Sequence, residues 1–308
     1  MSANLVVAVD GSDNSLKAID YIGMLFENAR PMVNLLYIMP ALPPLFEDPE
    51  IRRQAKKQME AIERKNREFG EKVLEEAKQR LEKTGFDQNL IELNLETKQK
   101  GPARDTCYFS AMNQGHAIVV GARGRSRLEK FFTGSVSGNI VQCSRETPVW
   151  LVNGKVNSKK VLLALDPSEN AMKAVEHATF MLAGTGAELT LFYTKRDLSR
   201  FIPSDVIKAA PDIQEFWQTK AGEQIAPFIQ RAVDKLKSGG ISEDRISTEV
   251  IPGTRNPAED ITNYARKNWY GTVVMGRYGQ SDKKNEYPMG GVTGRVVQDS
   301  ANLAVWVV

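Results

Sequence analysis

The chain has 308 residues, of which 42% are hydrophobic and 26% are charged, a composition typical of a globular protein with room for two cores. A net charge of +3 gives no reason to expect a nucleic-acid partner. No apolar run approaches the ~18 residues that predict a membrane span, so we expect no membrane partner. The amino terminus carries no signal-like pattern, and residues 5–9 there are typical of a strand.

Short β-rich runs alternate with amphipathic helical patterns along the first half of the chain. The first helical pattern follows Ser12, a residue type that caps helices. The second is long, and its apolar residues, among them Ile62, Phe69 and Val73, recur at three- and four-residue steps. The predicted strands are residues 4–9, 33–39, 90–96, 117–121 and 148–152. The predicted helices are residues 14–28, 50–83, 102–113 and 135–144.

The second half of the chain repeats this order. Asp10 and Asp166 end matching apolar runs 156 residues apart, and each half ends on an apolar strand that carries Trp150 or Trp306. A unit of roughly 150 residues is a normal domain size, so we expect tandem domains at residues 1–154 and 158–308. The predicted strands of this half are residues 161–166, 188–194, 246–251, 272–276 and 303–308. The predicted helices are residues 170–183, 212–238, 256–267 and 291–300.

Strands that alternate with helices predict a doubly wound parallel sheet covered on both faces. In such sheets the ligand binds outside the carboxyl ends of the strands. This rule places Asp10, the end of the second strand near residues 37–39, and the loop at residues 121–137 at one edge of the first sheet.

A glycine motif follows the fourth predicted strand of each half. Gly121 and Gly124 are followed, after nine further residues, by Gly134 and Ser135 at the start of a helical pattern, and residues 276–290 carry a similar motif. Glycines after a strand and at a helix start let backbone amides approach a phosphate. Because the motif occurs twice in the same strand–loop–helix context, it predicts phosphate binding.

The sequence shows no arrangement typical of a catalytic site. The P-loop signature is absent, His116 precedes a strand, and His177 lies on a helix beside Glu176, where a structural or solvent-facing role is expected. No Ser/His/Asp arrangement or His/Cys metal cluster is present. The two cysteines, Cys107 and Cys143, lack the Cys-x-x-Cys spacing, and we interpret them as buried free thiols in a reducing cytoplasm.

At these residues the chain resembles the universal stress protein family in its tandem form. The resemblance rests on the first strand with Asp10-Gly11-Ser12, on the Gly-x-x-Gly-x9-Gly-Ser motif at residues 121–135, and on the strand after Thr147-Pro148-Val149. It covers essentially the whole chain. It implies two tandem α/β domains of the adenine nucleotide α-hydrolase-like type, each a doubly wound sheet of five parallel strands.

In nucleotide-binding members of that family the glycine motif holds the phosphates and ribose of ATP, so the resemblance implies ATP or AMP as a ligand here. Gly121 and Gly124 would admit the ribose and phosphates. Asp10 and the backbone near Ala8 and Ile38 would flank the adenine and ribose, and in some members a metal such as Mg²⁺ bridges to the phosphates. The implied phosphate donors are Gly134, Ser135, Val136 and Ser137.

The second copy of the motif departs from the family pattern. Ten residues separate its second glycine from its third, and Gly291 stands where the first copy has Ser135. The first loop also carries four cationic side chains between residues 123 and 130, which favour a polyphosphate. We therefore expect a tight site at residues 121–137 and a weak or empty one at residues 276–293. The site residues implied in the second half are Asp166, Gly276, Gly279, Gly290 and Thr293.

These observations predict a cytoplasmic stress-response protein that binds ATP or AMP and acts as a nucleotide-responsive binding module for an unknown protein partner. Two alternatives stay open: a weak ATPase or nucleotidyl-transfer enzyme on the same fold, and an interaction scaffold that binds no nucleotide. The apolar strands at 148–152 and 303–308 are expected to meet inside one chain as a pseudo-dimer. A homodimer of chains is the further alternative.

Overall fold

The structure is a computed structural model that describes residues 3–27, 31–122, 135–195, 197–209, 211–254, 256–280 and 289–308. The chain forms two compact units. Over the described residues, the first unit runs to Ala122 and resumes from Ser135 to Val149, and the second runs from Trp150 to Val308.

The first unit is a parallel sheet with the strand order β3-β2-β1-β4. Leu5, Val6 and Val7 on its central β1 are fully buried, which is the pattern of a strand covered on both faces. Its strands are β1 (Asn4–Ala8), β2 (Met32–Met39), β3 (Ile91–Thr97) and β4 (Ala117–Ala122). Its helices are α1 (Asp13–Leu25), α2 (Pro49–Gln54), α3 (Lys56–Glu82), α4 (Pro102–Met112) and α5 (Val136–Cys143).

The long helix predicted at residues 50–83 is divided into α2 and α3 at Ala55, and part of its predicted apolar face is wrong. Ile62 is 40% exposed and Phe69 is 54% exposed. Most buried residues of α3 lie from Gly70 onward. The helix approaches the sheet closely at this point, since a Cβ at Gly70 would lie 2.5 Å from Leu95 Cδ1. The missing side chain therefore lets the second half of α3 approach the sheet.

The second unit has the strand order β5-β10-β9-β6-β7-β8, in which the pairs β10–β9, β9–β6, β6–β7 and β7–β8 are parallel. All of β5 except Val149 belongs to this unit. The strands are β5 (Val149–Asn153), β6 (Lys160–Ala164), β7 (Glu188–Lys195), β8 (Ile246–Pro252), β9 (Thr272–Met275) and β10 (Leu303–Val307). The helices are α6 (Glu169–Leu182), α7 (Ser204–Ala209), α8 (Pro211–Ser238), α9 (Pro257–Lys267) and α10 (Gly291–Gln298).

An aromatic cluster joins β5 to β10 in the core of the second unit. The rings of Trp150 and Trp306 stack with their centroids 3.7 Å apart, and both side chains are fully buried. The indole Nε1 of Trp150 donates to Nε2 of His177 on α6 at 3.0 Å. His177 therefore has the structural role that the sequence suggested for it.

All ten predicted strands are present, with ends that agree to within about two residues. The mixed α/β fold with mostly parallel strands is confirmed. The short helix α7 and the 3₁₀ turns at Pro44–Glu47, Gln88–Leu90, Leu198–Arg200 and Glu243–Arg245 were not predicted. Across the described part of the chain, no helix combines the length and the apolar character needed to cross a bilayer.

Candidate functional site

The two aspartates that the sequence singled out follow β1 and β6 and lie beside the first turns of α1 and α6. Oδ1 of Asp10 accepts from the backbone N–H of Ser12 at 3.0 Å and from its Oγ at 2.6 Å. Oδ1 of Asp166 accepts from Oγ of Ser168, while its Oδ2 accepts from the backbone N–H of Gln280 at 2.8 Å. Asp166 thus holds the backbone at Gln280 against the sheet edge.

Tyr37, near the end of β2, is a candidate site residue. The sequence placed residues 37–39 at the sheet edge but did not single out this tyrosine. Tyr37 is 8% exposed, and its ring meets that of Phe69 edge-on at 6.1 Å. Burial, with a smaller contribution from the nearby Asp10 carboxylate, raises the pKa of Tyr37. Tyr193, 156 residues later on β7, is its counterpart, so the internal repeat was the signal that could have identified it.

The first glycine of each motif has a packing role. A Cβ at Gly121 would lie 2.2 Å from the carbonyl oxygen of Asn14 in α1, and a Cβ at Gly276 would lie 2.8 Å from the carbonyl carbon of Asn170 in α6. Such contacts are too short for any side chain. These two glycines therefore let the first turns of α1 and α6 approach the ends of β4 and β9.

The third element of each site is the start of the helix behind the glycine loop. Ser135 caps α5 with φ −82° and ψ 143°, and its Oγ accepts from the backbone N–H of Gly138 at 3.1 Å. Val136 is 44% exposed and Ser137 is buried, while Gly124 and Gly134 lie outside the described residues. The described start of α5 thus presents Ser135 and Val136 at the surface, as a phosphate-binding helix start requires.

In the second unit the cap of α10 is Gly290, which offers no side-chain hydrogen bond. A Cβ at Gly291 would meet nothing within 4 Å. Thr293 is 2% exposed, and its Oγ1 donates to the carbonyl oxygen of Gly276 at 2.9 Å. The hydroxyl of Thr293 therefore fixes α10 to the end of β9.

These elements line an open cavity of about 210 Å³ in the second unit. It lies at the carboxyl ends of β6, β7 and β9 and is bounded by the first turns of α9 and α10. Four of the five predicted second-half site residues line it, namely Asp166, Gly276, Gly279 and Thr293. Its walls also include Tyr193, Thr194, Asn256, Tyr278 and Arg295, none of which the sequence had singled out for this role.

The predicted site residues of the first unit lie at the corresponding edge of its sheet. Ala8 ends β1, Asp10 follows it, and Ile38 lies near the end of the neighbouring β2. Gly121 lies in β4, on the other side of β1. His116 is at the opposite end of the strands, where its Nδ1 accepts from the backbone N–H of Asn4 at 3.1 Å. This contact agrees with the structural role that the sequence suggested.

The cysteine prediction was wrong. Cys107 on α4 and Cys143 on α5 are joined by a disulfide, with their Cα atoms 6.5 Å apart, and both residues are half-buried. The two cysteines are 36 residues apart in the sequence. Their spacing gave no signal because the pairing depends on how α4 and α5 pack together.

The described residues contain no group of three or more His, Cys, Asp or Glu side chains that could hold a metal ion. Mg²⁺ is commonly bound by one or two carboxylates together with substrate phosphates and water. A single carboxylate such as that of Asp10 fits this mode of binding.

Comparison with known proteins gives one family for both halves of the chain. The model of the universal stress protein family matches residues 1–153 and again residues 157–308. The universal stress protein YxiE of Bacillus subtilis is 30% identical over 165 residues, which is 49% of this chain and 99% of that protein. Each match of this length covers about one half of the chain.

A solved structure that covers the whole chain shows the same architecture. A universal stress protein from Archaeoglobus fulgidus matches with a TM-score of 0.65 at 20% identity, covering 100% of this chain and 98% of that one. A universal stress protein solved in complex with cAMP is 22% identical over 49% of this chain and 96% of its own length, with a TM-score of 0.34. The first of these likenesses supports the fold of the whole chain.

Proposed function

This chain belongs to the universal stress protein family, and from that premise we propose that its first unit binds ATP or AMP and that the protein is a nucleotide-responsive binding module. The observation that carries the proposal is the start of α5. It presents Ser135 and Val136 at the surface behind a glycine loop, at the helix end that attracts anions. In the second unit the same elements line an open cavity.

The proposed nucleotide lies across the carboxyl ends of β1, β2 and β4. Asp10 and the backbone near Ala8 and Ile38 would flank the adenine and ribose. The backbone amides at the start of α5 and the hydroxyl of Ser135 would bind the phosphates. Asp10 would hold a Mg²⁺ ion together with those phosphates, and the ion would neutralise part of their charge.

We propose that the protein is cytoplasmic. In that compartment the disulfide must depend on the redox conditions. Glutathione and thioredoxin keep most cytoplasmic thiols reduced. The bond between Cys107 and Cys143 would then form under oxidising conditions and open when they pass. Titration of free thiols in protein taken from unstressed and from oxidatively stressed cells measures this directly.

The first test is the nucleotide that the purified chain carries. Denaturing the protein should release ATP or AMP, and calorimetric titration should then give about one tight nucleotide per chain. Gly134→Val should abolish this binding, because a branched side chain would occupy the space of the phosphates. Gly290→Val is the matched control in the second unit and should keep the tight site.

Circular dichroism of both variants separates lost binding from unfolding. Two equal sites, or loss of the tight site on changing Gly290 alone, would overturn the assignment to the first unit. ATP turnover by the native chain well above that of Gly134→Val would favour the alternative that the protein is an ATPase. A nucleotide-free chain that takes up no added ATP would favour the scaffold alternative.

A further inference from the structure

Trp269, in the turn that ends α9, is the most exposed large apolar side chain among the described residues. It is 81% exposed, whereas Trp150 and Trp306 are fully buried. Tryptophan has the largest apolar side chain and is usually buried over most of its area. A ring left in water at this position contributes little to the packing of the second unit.

Hydrogen bonds fix the backbone of this turn in a form that glycine usually adopts. The N–H of Trp269 donates to the carbonyl oxygen of Arg266 at 3.3 Å, and the N–H of Tyr270 donates to that of Ala265 at 2.9 Å. These are the two bonds of a Schellman motif, and Trp269 has the left-handed φ of 60° that the motif requires. Glycine adopts this conformation at no steric cost, and a bulky residue does not. Neither packing nor the turn therefore accounts for a tryptophan here.

Positively charged side chains lie beside Trp269. Arg266 and Lys267 end α9 and are exposed. Lys160 begins the neighbouring β6, and its Nζ donates to the carbonyl oxygen of Asn268 at 3.4 Å. The Trp269 surface is defined here as Trp269, Lys159, Lys160, Arg266 and Lys267.

The Trp269 surface stays positive when its acidic neighbours are included. Glu188 is paired with Lys160 in the β6–β7 ladder, and Asp299 follows α10, where its carbonyl oxygen accepts from Arg266. Two carboxylates thus accompany four cations. The surface lies at the amino ends of β6 and β9, whereas the cavity lies at their carboxyl ends.

The first unit is uncharged at the equivalent described positions. Gln114 has the same place after α4, with a φ of 52°. The last turn of α4 carries no basic residue, and β1 begins with Asn4 after Ala3. Because α4 ends in the same turn without cations, the cations at the end of α9 are not needed to offset the helix dipole. The ring and its charges are a feature of the second unit alone.

Membranes, nucleic acids and acidic proteins all favour a positive surface, and these residues favour a protein. Interfacial membrane binding needs an apolar face of several residues. Within the described residues 154–160, 263–272 and 299–303, Trp269 is the one exposed large apolar side chain. Single-stranded nucleic acid needs successive aromatic platforms along a basic groove. Tryptophan and arginine, by contrast, are the residues most enriched at the energetic centres of protein interfaces.

We propose that the Trp269 surface binds an acidic segment of a protein partner. The indole of Trp269 packs against an apolar side chain of the segment, and the surrounding cations pair with its carboxylates. The proposed binding module thereby gains a place for its partner. The proposal does not rest on the nucleotide site, because the surface belongs to the second unit and to the opposite edge of its strands.

The test selects phage-displayed random peptides on the full chain and discards those that also bind Trp269→Gln. This substitution installs the residue that has the same backbone conformation in the first unit. The selected peptides should be rich in Asp and Glu around an apolar residue. A synthetic copy of such a peptide, followed by fluorescence anisotropy, should bind Trp269→Gln about thirtyfold or more weakly than the native chain, as expected for an interface hot spot. Lys267→Met should weaken binding less and should reduce its dependence on salt.

Phe216→Gln is the matched control. It removes another exposed ring of the second unit that lies beside a lysine, Lys220, and it should leave the peptide affinity unchanged. Trp269→Gly separates binding from folding. It should be at least as stable as the native chain, because glycine favours the left-handed conformation, and it should bind as weakly as Trp269→Gln. Gly134→Val should keep the native peptide affinity, so a failure of nucleotide binding leaves this test readable.

The proposal is overturned if the selection yields no acidic peptide, or if folded Trp269→Gln binds the selected peptide as tightly as the native chain does. A loss of stability in Trp269→Gly, measured by chemical denaturation, would give the ring a packing role instead. Phosphatidylserine vesicles and single-stranded oligothymidine are the remaining probes. Binding of either one that is lost in Trp269→Gln, with no acidic peptide selected, would assign the surface to a membrane or to nucleic acid.

Discussion

At the scale of single residues, the glycines of the glycine motifs differ in whether packing requires them. Gly276 is fixed by the approach of α6, since a Cβ there would lie within 3 Å of three atoms of Asn170. Gly291 has open space around its Cα and a conformation that other residues adopt. Packing therefore forbids a side chain at Gly276, whereas at Gly291 it does not.

This contrast predicts opposite results for two small substitutions. Gly276→Ala should lower the free energy of unfolding by about 1–3 kcal/mol, because the added methyl group overpacks the contact with α6. Gly291→Ser should fold with native stability and should give the first residue of α10 a hydroxyl, at the position that aligns with Ser135 in the sequence repeat. Chemical denaturation measures both effects. Equal stability of the two variants would show that Gly276 is not needed for packing.

At the scale of elements, the sequence predicted the strands well because their apolar runs are buried on both faces. The buried runs at Leu5–Val7 and Val161–Leu163 are examples. The side-chain environment of α3 was harder to predict, since the helical period alone does not reveal which turns reach the sheet. Phe69 fits the apolar stripe of α3 and is still half-exposed.

The sequence predicted those residues of the candidate site that occur in both halves of the chain. The two aspartates and the glycines occur in both halves, so their periodicity showed them. Asn256 and Arg295 occur in one half only, and they line the cavity because α9 and α10 pack at the strand ends. No sequence period marks such residues.

The disulfide is a link between two elements and has a predictable effect on stability. It closes a loop of 36 residues, for which the loss of chain entropy in the unfolded state corresponds to about 3–4 kcal/mol. Cys143→Ser should therefore lower the free energy of unfolding of the first unit by that amount in non-reducing buffer. Chemical denaturation with and without dithiothreitol measures it.

Cys107→Ser is the matched control, because loss of either cysteine removes the same bond. The two variants should have equal stability, and neither should respond to dithiothreitol, whereas the native chain should. Native stability that does not change on reduction would contradict the prediction. Because Cys143 ends α5, nucleotide affinity measured in both buffers also tells whether the bond supports the proposed site.

At the scale of the whole molecule, the two units share one plan and differ in their polar networks. In the second unit Tyr264 on α9 lies against Phe192, with ring centroids 4.6 Å apart, and against Tyr270 at 6.0 Å. Tyr270 donates to Oγ1 of Thr190 at 2.8 Å. Burial, followed by interactions with Tyr270 and Glu249, raises the pKa of Tyr264 to about 12.

This shift makes the stability of the folded chain depend on alkaline pH. An unfolded tyrosine loses its proton near pH 10, so between pH 10 and about 12 the folded state binds more protons at Tyr264 than the unfolded state does. The contribution is complete below pH 10 and is lost as the pH rises through that window. Tyr264→Phe should therefore lose less stability over this range, as measured by denaturation at several pH values. An identical alkaline loss in the variant would contradict the assignment.

The position of β5 has a practical consequence for dividing the chain. The family match to the second half begins at residue 157, but β5 lies beside β10 and Trp150 stacks on Trp306 in the second unit. A gene fragment cut at residue 157 would encode β10 with a bare edge and an uncovered indole, a surface prone to aggregation. A cut before Val149 keeps both partners on one fragment.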